Sequence, residues 1–468
     1  ALYLIKKLIE DSDQYSAVDT VIHSRAWIPA STIIVLCLSG LIVIARIGRP
    51  STDQPIIQHL LHPILAVLCV LSCVSSKPYD GYKLYEVPIS TGHEVQLLLY
   101  LQHHRPSIDI WALNKLGPKR MLVPANLQKT VEHFFKDQHI NYTVKVEDFG
   151  KKYSVRQAPL MQLEDPTFLN SYPTYDEIND YLVQLATENF EWIRFRIIGW
   201  SVEGRPIRAI TINPDKQRTI IVDAGIHARE WITVSTALYL IKKLIEDSDQ
   251  YRILHEYKWV IVPLVNPDGY IYSMETDRYW RKNRRRLSDK CVGVDLNRNF
   301  GFRWDVGASL FSGECHPGFR GYAPFSEPES RALRTVFDNN PEAELYINLH
   351  SFGGYLIYPW SYESTPVANV GDFKQVGVAA ARAMWHYSHQ EYKVGSSAEI
   401  LRYQASGTSI DYAYSVGIDY PFAMEIAEFG YSDFQPPTNA IADIVKESFV
   451  GIKELVYAVR KLKTQQKG

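Results

Sequence analysis

His227 and Glu230 stand three residues apart in His227-Ala-Arg-Glu230, directly after an apolar run at 218–226 that reads as a strand. At a strand-to-helix turn, such a pair can face one point with an imidazole nitrogen and a carboxylate oxygen, donors that suit zinc. Alone, His-x-x-Glu arises often by chance and usually marks a surface pair. A third ligand is required, and His350 closes a second apolar run, Leu345-Tyr-Ile-Asn-Leu349. Two histidines and one carboxylate leave one corner of a tetrahedral site open, which is the pattern of a catalytic zinc. One Zn2+ per chain is therefore the expected cofactor.

The elements that must carry these ligands alternate from Tyr175 onward. The pattern predicts strands at 192–201, 205–212, 218–226, 258–263 and 344–349, and helices at 230–247, 327–339, 371–386 and 440–460. Such alternation predicts an α/β domain over 173–468, with a mixed, mostly parallel twisted sheet flanked by helices. Ligands then gather at strand ends, where open α/β sheets bind them.

Residues 77–150 read differently. Strands at 83–89, 108–113, 119–124 and 142–147 enclose helices at 92–103 and 127–138. Strand, helix, strand, strand, helix, strand is the order of a small ferredoxin-like α+β unit. Asn141-Tyr142-Thr143 is a glycosylation sequon. Residues 151–172 carry little periodicity but include Lys151, Lys152 and Arg156, as a linker open to a trypsin-like protease would.

The N-terminal region does not fit either unit. Residues 1–15 repeat 237–251 letter for letter, and the first copy cuts in mid-helix. It reads as a duplicated exon or a gene-model error, so residues 1–61 are expected to add nothing to the fold. The apolar run at 33–45 is short for a bilayer. Residues 62–76 (HPILAVLCVLSCVSS) look like the apolar core and small-residue end of a signal peptide, which predicts secretion without a stable membrane anchor.

Composition excludes some classes. Lys and Arg total 50 against 52 Asp and Glu, so the chain has no basic field for nucleic acid. Of five cysteines, only Cys291 and Cys315 lie in the body of the chain, either as one disulfide or as two thiols.

Seven blocks then point one way. His227-Ala-Arg-Glu-Trp231, Asn266-Pro-Asp-Gly269, Arg278-Tyr-Trp-Arg-Lys282, Gly293-Val-Asp-Leu-Asn-Arg-Asn299, His350-Ser351, Tyr403-Gln-Ala-Ser-Gly407 and Phe422-Ala-Met-Glu425 resemble, in order, the signatures of pancreatic-type metallocarboxypeptidases. The resemblance spans about 290 residues and implies a zymogen whose ferredoxin-like prosegment covers the active site. It implies a secreted monomer that acts on peptide C-termini after a trypsin-like protease activates it. A non-catalytic binder of peptide C-termini would be expected to lack one of the key residues, and none is missing.

By that resemblance His227, Glu230 and His350 hold the zinc, and Cys291 pairs with Cys315. Glu425 is the catalytic carboxylate that moves the proton, and Arg281 stabilises the oxyanion. Arg298, with Asn297 and Tyr403, anchors the substrate carboxylate, for which a planar guanidinium is suited. Arg229 and Arg278 fall on further substrate-binding positions. Ile410, Ile357, Ala398 and Ala423 line the pocket for the departing side chain. Ile410 replaces the aspartate of the basic-specific branch, so apolar or aromatic C-terminal residues are expected. Thr408, Ser361 and Ala423 depart from the family's usual residues and alter pocket depth.

Overall fold

A computed structural model describes residues 33–38, 41–46, 79–111, 117–152, 169–246, 252–306, 313–426 and 434–466. The chain divides into two compact units, 1–76 and 77–468. In the first, β1 (Ile33–Leu38) and β2 (Leu41–Arg46) pair antiparallel, so the apolar run closes on itself as a hairpin. The repeated segment 1–15, the signal-like segment 62–76 and linker residues 153–168 lie outside the described residues.

In the second unit, a four-stranded sheet comes first. β3 (Lys83–Ile89) alternates buried and open residues, and the antiparallel order is β4 (Asp109–Trp111), β5 (Gly117–Val123), β3, β6 (Thr143–Val146). Helices α1 (Gly92–His104) and α2 (Gln128–Asp137) complete the ferredoxin-like order. Thr91 and Glu94 form a reciprocal cap at the start of α1, which satisfies two of its orphan backbone N–H groups. Tyr85, Leu98, Met121 and Phe135 sit in its core.

Eight strands build the larger sheet. They are β7 (Ile193–Trp200), β8 (Pro206–Ile212), β9 (Arg218–Asp223), β10 (Tyr257–Val262), β11 (Leu345–Ser351), β12 (Tyr355–Tyr358), β13 (Lys393–Ser396) and β14 (Tyr420–Ile426). Their spatial order is β13-β12-β14-β11-β9-β10-β8-β7. The central pairs β10/β9, β9/β11 and β11/β14 are parallel, as is β12/β13, while β7/β8, β8/β10 and β12/β14 are antiparallel. The sheet is thus mixed and parallel at its centre, as the alternation predicts.

One face is covered by α3 (Tyr175–Glu188), α4 (Trp231–Glu246), α7 (Val370–Ser388) and α10 (Ile441–Gln465), whose apolar sides form the main core. The other face packs Leu296, Phe300, Leu333, Phe337 and Ile410. α6 (Pro328–Asp338), α8 (Ser397–Leu401) and α9 (Ser409–Ser415) supply residues to this second core, while α5 (Pro267–Glu275) adds Tyr270 to the main one. Asn266-Pro-Asp-Gly269 starts α5: Asn266 Oδ1 accepts from Gly269 N, and Pro267 takes the first turn, where its missing N–H costs nothing. Among the described residues no helix is long and apolar enough to cross a membrane.

Candidate active site

β9 ends at Asp223, and Gly225 (φ +62°) turns the chain toward α4. A side chain there would be strained and would meet Leu264, so glycine is required. The turn places His227 and Glu230 just ahead of α4, beside β11. His350 is the penultimate residue of β11 rather than the residue after it.

The three ligand groups are buried, and their donor atoms lie within 4.8 Å of one another. Glu230 stands between the two rings, with Oε1 2.8 Å from His227 Nδ1 and Oε2 3.0 Å from His350 Nδ1. The far nitrogens are held by acceptors. His227 Nε2 lies 3.2 Å from Asp295 Oδ1, and His350 Nε2 lies within hydrogen-bond reach of Asn348 Oδ1. When those acceptors take the Nε2 protons, each Nδ1 keeps a lone pair for a metal, the orientation that outer hydrogen bonds impose on ligating histidines. The donor set fits zinc: two imidazoles and one carboxylate, buried, facing one point.

Burial opposes ionisation of Glu230, but His227 and His350 outweigh it and hold its carboxyl well below the usual range. Asp295 behaves alike. Burial would raise its pKa, yet Arg281 and His227 keep it ionised. Arg281 Nε and Nη2 donate to Asp295 Oδ2 at 3.1 and 3.0 Å, which fixes the guanidinium beside the ligands. Glu425 lies opposite His350 in the β11/β14 register. Burial pushes its pKa to about 7, against the pull of His350. A carboxyl with that environment can both take and release a proton near neutrality.

A cavity of about 160 Å³ opens beside these groups. Arg298 Nη1 donates to Asn297 O (2.8 Å) and Nη2 to the Tyr403 hydroxyl (3.2 Å). Gly407 (φ +68°) packs on the Arg298 carbonyl so closely that a Cβ would come within 2.3 Å. That contact seats the Tyr403–Gly407 loop on the Arg298 backbone. Ile357, Ile410 and Ala423 line the inner cavity with Ser361 and Thr408. Buried Asp411 follows Ile410, but its carboxylate turns away to accept from the backbone N–H of Ser361 and Tyr362.

Two of the expected site residues lie apart from the cavity lining. Arg278 is stacked 3.6 Å over Trp231, and its guanidinium donates to the Arg229 and Phe434 carbonyls, so it braces the wall from behind. Ala398 is buried with its N–H on Trp360 O, and its neighbour Ser397 faces the cavity instead. Cys291 and Cys315 form a disulfide. Asp295 and Asn348 carry the outer hydrogen bonds and were not singled out from sequence. Asp295 lies within the Gly293–Asn299 block, but nothing local signals that its carboxylate reaches His227.

The ferredoxin-like unit closes the cavity. Leu99, Gln102, Asp109 and Ile110 line it from outside. Asp109 pairs with Arg229, and Trp111 Nε1 donates to the same carboxylate at 2.8 Å. Trp111 stacks on Tyr279 (5.3 Å between ring centres, planes 7° apart), and the Tyr79 hydroxyl donates to Asp277 at 2.6 Å. Tyr403 packs against the cores on both sides of the boundary.

Residues 178–451 match the family described as zinc carboxypeptidase, and residues 85–153 match carboxypeptidase activation peptide. Carboxypeptidase A2 of Mus musculus is 31% identical over 400 residues, covering 82% of this chain and 94% of that protein. Carboxypeptidase B of Helicoverpa zea is 29% identical over 420 residues, covering 83% and 96%. The crystal structure of carboxypeptidase A from Helicoverpa armigera superposes with a TM-score of 0.76 at 28% identity, covering 82% of this chain and 98% of that one.

Proposed function

Because this chain belongs to the zinc carboxypeptidase family and carries the activation peptide of a procarboxypeptidase, we propose that its mature form removes apolar or aromatic residues from peptide C-termini. Relatives named A and B match about equally well, so the preference is argued from the pocket. The observation that carries it is Ile410, buried in the cavity wall with Ile357 and Ala423. A Lys or Arg side chain entering there would meet no countercharge, since the Asp411 carboxylate is engaged by backbone N–H groups. An unpaired buried charge costs roughly 3–5 kcal/mol, enough to exclude basic residues in practice.

In this reading the substrate's terminal carboxylate docks on Arg298, with Asn297 and Tyr403 beside it. Zinc held by His227, Glu230 and His350 supplies Lewis acidity at the scissile carbonyl. Arg281, fixed by Asp295, donates to the oxygen as negative charge grows there. Glu425 takes a proton from the attacking water and hands it to the departing nitrogen.

The apolar segment 62–76 and the disulfide support export from the cell. Lys151, Lys152 and Arg156 support activation by a trypsin-like protease, with no further subunit needed to complete the site. Trypsin-treated protein tested on blocked dipeptides ending in Phe, Leu and Arg decides the matter. Release of Phe and Leu at least a hundredfold faster than Arg is expected. Equal or faster release of Arg would overturn the assignment.

A further inference from the structure

Asn348 lies directly opposite Asp223 in the parallel register of β9 and β11, two residues ahead of the ligand His350. All three side chains are buried, and so is Ser409. Asn348 Nδ2 donates to Asp223 Oδ2 at 2.9 Å. Asp223 Oδ2 is the acceptor in this bond, which sets the nitrogen end of the amide toward it. The carbonyl end must then face His350 Nε2, and it also accepts from the Ser409 hydroxyl at 3.1 Å.

We infer that Asn348, oriented by Asp223, is a positioning residue that sets the tautomer of His350 and couples this ligand to the substrate anchor. With Oδ1 fixed against it, His350 Nε2 must carry the proton, and Nδ1 keeps its lone pair toward the metal. The coupling runs through Ser409. Its hydroxyl bonds Asn348, while its backbone N–H donates to Asn297 Oδ1 at 2.9 Å. That second bond turns Asn297 Nδ2 toward His350 Nε2, 3.1 Å away. Asn348 and Asn297 thus face the same ring nitrogen and share Ser409, so a shift at one is transmitted to the other.

The inference depends on the metal site and not on which residue is released, so a readout of metal retention tests it separately from substrate choice. Outer partners of ligating histidines typically contribute 10- to 100-fold in metal affinity. Zinc-loaded protein is mixed with excess chelator and the release rate followed. Asn348→Ala is expected to lose zinc at least tenfold faster than the parent.

Two double variants separate positioning from packing. Asp223→Asn with Asn348→Asp exchanges amide and carboxylate, restoring both the donor–acceptor pair and the acceptor for His350. Asp223→Asn with Asn348→Leu shares the change at 223 but offers no acceptor. The exchanged pair should retain zinc within about threefold of the parent, whereas the leucine pair should release it as fast as Asn348→Ala. Equal release from the two double variants, or parental retention by Asn348→Ala, would overturn the inference. If the single variant does not fold, the comparison of the two pairs still decides.

Discussion

Asp109 of the activation peptide and Arg229 of the enzyme form an ion pair at the mouth of the metal cavity, with only 19% and 6% of their side-chain surfaces exposed. Arg229 also lies 4.1 Å over the Phe434 ring, which lines the same mouth. The residue holding the prosegment down therefore belongs to the surface a peptide must cross to reach the metal. The metal-binding group and Arg298 are already assembled beneath the prosegment, so occlusion is the mode of inhibition that the proposed function predicts.

Asp109→Asn keeps the shape and removes the charge. A charge-assisted hydrogen bond of this kind contributes roughly 1–3 kcal/mol, about 5- to 150-fold in the balance of closed and open zymogen. Activity before trypsin should rise by a factor in that range, with the rate after trypsin unchanged. Parental basal activity would mean that the aromatic contacts of Trp111 and Tyr79 hold the prosegment unaided.

Glu425→Gln tests the proton carrier. The register that sets Glu425 opposite His350 is a backbone property and survives the change. Zinc content and KM should stay near the parent's, and kcat should fall roughly 10²- to 10⁴-fold, the range for removing a general acid–base. A fall smaller than tenfold would remove Glu425 from that role.

Much of this site was legible because metal chemistry restricts residue type and strand ends restrict place. His227, Glu230 and His350 follow from those two constraints. β3 and α4 are legible to within a residue, β3 from a short apolar-rich run and α4 from sixteen residues without Gly or Pro. β14 was not predicted as a strand: Pro421 interrupts its run, and its pairing with β11 depends on residues over 70 positions away. The same holds for Asp295 and Asn348. Their partners are set by cross-strand register and loop closure, which no local pattern encodes. Arg278 shows the converse, a motif arginine whose side chain braces backbone carbonyls behind the wall.

Stability should depend on pH through Glu447. It is buried in α10, accepts from Tyr392 and Ser388 hydroxyls at 3.0 and 3.3 Å, and burial pushes its pKa to about 7. The folded state therefore keeps a proton that the unfolded chain loses near pH 4.5. Across that window folding binds more protons, so stability falls as pH rises, by up to roughly 3 kcal/mol above pH 7. Glu447→Gln should melt near the parent at pH 5 and several degrees higher at pH 8. Parallel melting curves across that range would refute the assignment.

The pocket gives the sharpest test of substrate choice. Ile410→Asp would set a carboxylate in the cavity wall, near the Ser361 and Thr408 hydroxyls, which lie 3.2 Å apart and can help solvate it. The empty pocket would then hold an unpaired charge beside buried Asp411, so Tm should drop by several degrees. A C-terminal Arg or Lys would neutralise that charge. Its kcat/KM should rise by about a hundredfold or more while that for Phe falls by at least tenfold, inverting the ratio. An intact preference for Phe in a folded, zinc-loaded variant would mean that residue 410 does not meet the departing side chain. The selectivity would then have to lie with Ile357 and Ala423, whose small apolar surfaces constrain size but offer no discrimination of charge.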